Sequence, residues 1–167
     1  MVTTPRLRLE LITPDEAARM LAGERRAGWH PAYPRQDDLD GVSMMPRSTA
    51  SADDLSWNPR HVVRAYDGLV VGSIGFFGPP AAAVDGMPEA EIGYGLVADA
   101  RGRGVATEAV RGLLAHTDHL GVRVRASVEP SNTASVRVLA KCGFTELRGA
   151  DEDGHLVMAR PLPPTGG

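Results

Sequence analysis

A mixed α/β fold, one central twisted sheet flanked by helices, is the class this sequence predicts, and three observations predict it. Short segments alternate apolar and polar residues with the two-residue period of a half-buried strand. In 6–12, Leu7, Leu9 and Leu11 share one side while Arg8 and Glu10 share the other. One long segment, 106–120, instead repeats its apolar residues at helical spacing. The stretch 91–128 runs strand, glycine loop, helix, strand, the pattern of a right-handed crossover between parallel strands. The resulting order is β, short helices, ββ, then β–loop–α–β–α–β–β, a mixed sheet of about seven strands.

The elements follow in order. After strand 6–12, Thr13-Pro14-Asp15-Glu16 reads as a helix start: Thr13 suits the N-cap, Pro14 the first helical position, and Glu16 completes a capping box. That helix is short and ends near Gly23. Residues 24–59 carry a weaker pattern, read as short helices and loops. Trp29, His30, Pro31, Tyr33 and Pro34 cluster there, followed by Asp37, Asp38 and Asp40, and Ser51-Ala52-Asp53-Asp54 offers a cap for another short helix. Such a region either covers a substrate pocket or is a solvated linker with aromatic anchors. Strands 61–66 and 69–77 flank Asp67-Gly68, a two-residue hairpin signal. The Pro- and Ala-rich 78–89 is a loop, and 90–97 is the next strand. In helix 106–120 the residues Ala106, Val110, Leu113, Leu114, Thr117 and Leu120 share a face, and Gly121 stops it. Residues 122–128 form a strand, 134–142 a helix burying Val138, Leu139 and Cys142, and 144–148 and 155–160 two strands joined through Asp153-Gly154. A single domain is expected over 1–162, with a frayed tail at 163–167.

Composition narrows the function. The 167 residues carry a net charge of −3, which disfavours a general binder of nucleic acid or anionic membrane. Cys142 is the only cysteine, so an internal disulfide framework and a cysteine-rich metal site are both excluded. No apolar run approaches membrane-spanning length and no signal core opens the chain, so a cytoplasmic location is the simplest expectation.

The chain is organised around 91–107, EIGYGLVADARGRGVAT, in which a strand leads through Arg101-Gly102-Arg103-Gly104-Val105-Ala106 into the clearest helix. A helix start carries unpaired N–H groups and the positive end of the dipole, and glycines admit an anion close to the backbone. The stretch is therefore a candidate phosphate cradle. The plainer alternative is a tight strand-to-helix turn that exposes arginines.

Read together, Glu91-Ile92-Gly93-Tyr94-Gly95-Leu96, then Arg101-x-x-Gly104-x-Ala106-Thr107-Glu108-Ala109, Asn132-x-x-Ser135 and Lys141-x-Gly143-Phe144 resemble the GNAT superfamily of acyl-CoA-dependent N-acetyltransferases. Thr4-Pro5-Arg6-Leu7-x-Leu9 resembles the branch of ribosomal-protein N-terminal acetyltransferases. The resemblance implies a sheet splayed between 91–97 and 122–128 and acetyl-CoA as cosubstrate, with no metal. It places the coenzyme pyrophosphate on the N–H groups of Gly102, Arg103, Gly104, Val105, Ala106 and Thr107, with the Arg101 and Arg103 side chains either adding charge-assisted bonds or solvated. It brings the pantetheine arm against the backbone from Gly95 through Leu96 to Val97, and adds coenzyme contacts from Asn132 and Ser135. The alternative is that Asn132 or Ser131 simply caps the next helix. The partners implied are acetyl-CoA and an amine acceptor, with a homodimer allowed and neither nucleic acid nor membrane.

One departure stands out. Many members of the family carry a tyrosine two residues before Cys142, where it protonates the departing thiolate, and here that residue is Ala140. Water or Tyr94 is left as the acid. Direct attack by a neutral amine also calls for a base, for which Glu91 is the first candidate and His30 the second. A backbone N–H around Leu96 or Val97 is the candidate to polarise the thioester carbonyl. His61, His116, His119 and His155 are expected at the surface, and Cys142 as a buried structural thiol. Asp37, Asp38, Asp40, Asp85 and Glu89 either form an acidic mouth for a cationic amine or are ordinary surface charges. A small amine, an aminoglycoside and a peptide N-terminus stay open as acceptors. So does a non-catalytic acyl-CoA-binding or sensor domain.

Overall fold

A computed structural model describes residues 1–45 and 56–163. Its elements are β1 (Val2–Thr3), β2 (Leu7–Leu11), α1 (Pro14–Leu21), α2 (Gln36–Ser43), β3 (Arg60–Arg64), β4 (Val70–Phe76), β5 (Ala81–Ala82) and β6 (Pro88–Leu96). A 3-10 turn (Ala98–Ala100) then precedes α3 (Val105–Asp118), β7 (Arg123–Val128), α4 (Thr133–Lys141), β8 (Glu146–Ala150) and β9 (Leu156–Arg160). The sheet has nine strands where the sequence pattern yields about seven, because β1 and β5 are two residues each, too short to show a period. The suggested cap at Ser51-Ala52-Asp53-Asp54 and the tail beyond 163 lie outside the described residues. Among the described residues no helix is long and apolar enough to cross a membrane.

The strands run in the order β1-β2-β3-β4-β6-β7-β9-β8, with β5 continuing alongside β6. Every pair of strands is antiparallel except β6 with β7. That parallel pairing covers Glu89–Arg123, Ala90–Val124 and Glu91–Arg125 and then stops. Beyond it, Ile92 to Leu96 pair only with β4, and Ala126 to Val128 only with β9. The sheet is thus splayed where the resemblance implies.

Side-chain alternation builds one core layer on each face. Leu7, Leu9, Val62, Ile74 and Ile92 lie on the face covered by α3 and α4, whose Val110, Leu113, Leu114 and Leu139 are buried. Gly112 lets α3 sit down on β1 and β2, since a Cβ there would come within 2.6 Å of the Thr4 methyl. The opposite face takes α1, α2 and the loop between them.

Two local expectations change. Thr13 caps α1 by accepting from the Glu16 N–H at 3.1 Å, but the Glu16 carboxylate goes to His61 Nε2 at 2.9 Å, so only half of the capping box forms. His61 is buried, not at the surface. Its Nδ1 lies 2.7 Å from the Tyr33 hydroxyl. Burial, helped by the Asp38 and Glu16 carboxylates, holds that phenol protonated. Tyr33 therefore donates to Nδ1, and His61 Nε2–H donates to Glu16.

Candidate functional site

A cavity of about 370 Å³ opens at the splay, between α2, the exposed ends of β4, β6 and β7, and the start of α4. The backbone of β6 explains why it can hold an extended chain. Phe77 N–H donates to the Glu91 carbonyl at 2.9 Å and Val97 N–H to the Val71 carbonyl at 2.8 Å. In an antiparallel ladder these bonds alternate, so Glu91, Gly93, Gly95 and Val97 face β4. Ile92, Tyr94 and Leu96 turn their peptide groups the other way, into the gap that β7 has left. Leu96 therefore keeps an N–H in the gap while its carbonyl takes Arg101 Nε at 3.1 Å. Val97 is removed as a candidate thioester donor, because its N–H is already spent on β4.

The glycine loop sits just beyond this gap. Gly102 and Gly104 both take φ of +76°, the left-handed region where glycine is the natural residue. Gly104 is the N-cap of α3 and has no side chain to cap it, so the N–H groups of Val105, Ala106 and Thr107 begin the helix without an intrahelical partner. The first helical bond runs from Glu108 N–H to the Gly104 carbonyl at 3.0 Å. Glu108 is held in turn by the Thr4 hydroxyl, by Arg6 N–H at 2.8 Å and by Arg6 Nε at 2.7 Å. Arg6 Nη1 also donates to the Arg103 carbonyl at 3.0 Å. The amino-terminal segment is thus a brace for the loop. Along α3, a shallower groove of about 610 Å³ has Arg6, Thr107, Arg111 and Lys141 on its walls.

On the α4 side, Asn132 caps the helix by accepting from Ser135 N–H at 3.1 Å, and its amide NH₂ has no partner among the described residues. The Tyr94 hydroxyl reaches across to Ser135 Oγ at 3.3 Å. Burial raises the Tyr94 phenol above its ordinary pKa, against the lowering effect of the Ser135 bond. It is a protonated donor at neutral pH. Ala140 is exposed. Cys142 is buried, and burial pushes its thiol up, against the nearby Arg111 and Arg160 charges, as suits a structural residue.

On the other face, Glu91 Oε1 accepts from Arg125 Nε at 3.2 Å and from Ser127 Oγ at 3.4 Å. Glu91 shares its side of β6 with Gly93, and Gly93 and Ser127 both line the cavity. His30 is different. Its Nδ1 accepts from Ala32 N–H at 3.0 Å, so Nε2 carries the proton it gives to Asp99 at 2.7 Å. No ring nitrogen is free, which corrects its role from base to a tie between the α1–α2 loop and the turn before the glycine loop.

The acidic residues divide. Buried Asp38 is consumed by Arg35 N–H, Nε and Nη2 and by the Ser73 hydroxyl, while Asp37 and Asp40 line the cavity together with Glu129. This clamp lays the Arg35 guanidinium on β6, where a Cβ at Gly95 would fall 2.0 Å from Nη2. Glu89 and Asp85 sit at the root of the splay. Glu89 accepts from Arg123 at 2.6 Å, Arg148 at 2.7 Å and Arg125 at 3.0 Å, and Asp85 takes the remaining fork of Arg123. Burial opposes the ionised Glu89, but the three guanidinium bonds win and hold its carboxyl at about 2. Sequence reasoning passed over Arg35, Ser73, Phe77 and Ser127. A signal for the root cluster was present, because Glu89-x-Glu91 and Arg123-x-Arg125 are complementary charges on strands that the crossover makes neighbours.

A family model described as an acetyltransferase (GNAT) domain matches residues 6–145. No curated protein sequence matches significantly. Among solved structures, a protein from Bordetella pertussis described as GNAT-family acetyltransferase is 27% identical, with a TM-score of 0.63 over 96% of this chain and 98% of that one. The ribosomal-protein-S5-alanine acetyltransferase of Vibrio fischeri is 17% identical, with a TM-score of 0.63 over 99% of this chain and 98% of that one. The microcin C7 self-immunity acetyltransferase, solved with acetyl-CoA and AMP, is 18% identical, with a TM-score of 0.62 over 94% and 93%. The last two likenesses concern the fold.

Proposed function

The chain belongs to the GNAT acetyltransferase family, and from that premise we propose that it transfers the acetyl group of acetyl-CoA to a primary amine by direct attack on the thioester. The observation that carries this reading is the break in β6–β7 pairing after Glu91–Arg125, beside a helix start that no side chain caps. The unpaired N–H groups at Gly102 to Thr107 would take the pyrophosphate. The peptide group of Tyr94, which faces the gap, would pair with the pantetheine amides, with the Asn132 amide nitrogen and Ser135 alongside, and the Leu96 N–H is left for the thioester.

The chemistry then divides between the two faces of the sheet. The Leu96 N–H polarises the thioester carbonyl from within the gap. The amine enters from the α2 side. Its pKa of about 8–10 keeps it protonated at neutral pH, and Glu91 takes that proton through water. Nitrogen bonds to the acetyl carbon, the C–S bond breaks, and the thiolate takes a proton from Tyr94; the second proton leaving the nitrogen returns through water to the phenolate, so the phenol is regenerated. Holding two substrates together contributes about 7–11 kcal/mol, against roughly 10²–10⁴-fold from the base, so positioning dominates.

Ala140 supports a second reading, a non-catalytic acyl-CoA-binding domain, since it removes the family's usual acid. Free-thiol release from acetyl-CoA across a panel of amines and N-terminal peptides decides between them. Turnover with any amine supports transfer. Tight acetyl-CoA binding without turnover supports the binding domain.

A further inference from the structure

Building on that reading, we propose that Phe77 is the specificity-determining wall of the acceptor subsite. The acceptor it fits is a primary amine whose carbon skeleton is apolar next to the nitrogen.

Strand register places the ring. Phe77 N–H donates to the Glu91 carbonyl at 2.9 Å and so extends the β4–β6 ladder by one pair past Phe76–Ile92. Directly opposed residues share a face, so Phe77 stands beside the Glu91 carboxylate on the side of the sheet that carries α2. The ring then leans over Gly93, where a Cβ would meet Phe77 Cζ at 2.7 Å. Only a glycine at 93 lets an aromatic ring lie on the strand there. Along β6 this gives a short track: Glu91, the Phe77 ring over Gly93, then the Arg35 guanidinium over Gly95.

Phe77 is 50% exposed, and Met44 at 65% faces the same cavity from the end of α2. Two large apolar side chains left open in one cavity form a surface for apolar atoms. The charge around them is negative. Arg35 and Asp38 cancel as a pair, while Asp37, Asp40 and Glu129 remain on the cavity walls. An ammonium is drawn by both the carboxylates and the negative face of the ring. A sugar-like amine would press its hydroxyls on Phe77 and Met44 without hydrogen-bond partners. At about 370 Å³ the cavity is at the small end for ligand sites, with room for one compact group.

The test reads binding without chemistry. The full chain saturated with coenzyme A is titrated calorimetrically with phenethylamine, an apolar dipeptide amide, spermidine and an aminoglycoside. Phenethylamine or the dipeptide is expected to bind at least ten-fold tighter than the two hydrophilic amines, and whichever binds best identifies a free amine or a chain terminus as the source. Phe77→Ala is expected to weaken that binding about ten-fold, Phe77→Leu less, with coenzyme affinity unchanged in both. Preference for the hydrophilic amines, or unchanged amine binding in Phe77→Ala, would overturn the proposal. Amine binding with no thiol release would refute acetyl transfer and leave the subsite standing.

Discussion

Substitution of Gly104 separates backbone strain from charge at the coenzyme loop. The residue caps α3 at φ +76° and ψ 7°, a conformation that costs an L-residue about 1–2 kcal/mol. A Cβ there would lie 3.4 Å from Arg6 Nη2, the far end of a movable side chain, so crowding adds little. Gly104→Ala should therefore lose about 1–2 kcal/mol of stability and keep its acetyl-CoA affinity within a few-fold, because the loop N–H groups remain. Gly104→Glu carries the same strain, but a carboxylate at a helix start gains about 0.3–1 kcal/mol from the dipole. It should be at least as stable as the alanine variant. Toward the pyrophosphate the sign reverses. Like charges about 5 Å apart repel by about 3 kcal/mol at an effective dielectric of about 20. Screening by Arg6 and salt leaves about 2 kcal/mol, or a Kd roughly 30-fold weaker. Thermal melts and calorimetric titration with acetyl-CoA on the three proteins read both signs. Wild-type affinity in the glutamate variant, or equal loss in the alanine variant, would mean that the anion is not held at this helix start.

Three further outcomes are expected. Glu91→Gln should slow turnover more at low pH than at high pH, since alkaline solution supplies free amine without a base; an unchanged pH–rate profile would remove Glu91 from that role. Tyr94→Phe should lower kcat about 100-fold with the KM for acetyl-CoA unchanged, in keeping with loss of a general acid; its long bonds to Ser135, 3.3 and 3.4 Å, make a large fall in Tm unexpected. The carboxyl of Glu89, depressed from its ordinary 4.5 to about 2, contributes stability that is present above pH 4.5 and lost as pH falls toward 2. The side chain is only 2% exposed, so about 3 kcal/mol should disappear across that window. Glu89→Gln should flatten the acid limb of the unfolding curve measured by denaturant titration.

Elements were legible where a local rule decides the backbone. The helical repeat of Val110, Leu113, Leu114 and Thr117 is buried as its spacing requires, and Thr13-Pro14 starts α1 as capping chemistry demands. The glycines of the loop could be placed because a left-handed φ is a single-residue property. The elements that make up the proposed coenzyme side were legible for the same reason: one strand end, one loop and two helix starts. The acceptor side was not. His30 reads as a base from its residue type but meets Asp99 and Ala32, and His61 reads as a surface residue but is buried between Tyr33 and Glu16.

What the sequence alone determined is therefore the order and type of the elements, the splayed crossover implied by its motifs, and the open helix start at Gly104. What the tertiary structure decided is which polar groups meet. Glu89 finds Arg148 from 59 residues away, and Val97 N–H is taken by Val71 while Leu96 N–H is turned into the gap. Phe77 comes to stand beside Glu91 over Gly93. Backbone preference is set within a turn or two of chain. A side chain's partner is set by register between strands far apart in sequence, and a one-residue slip would send each of these groups to the other face.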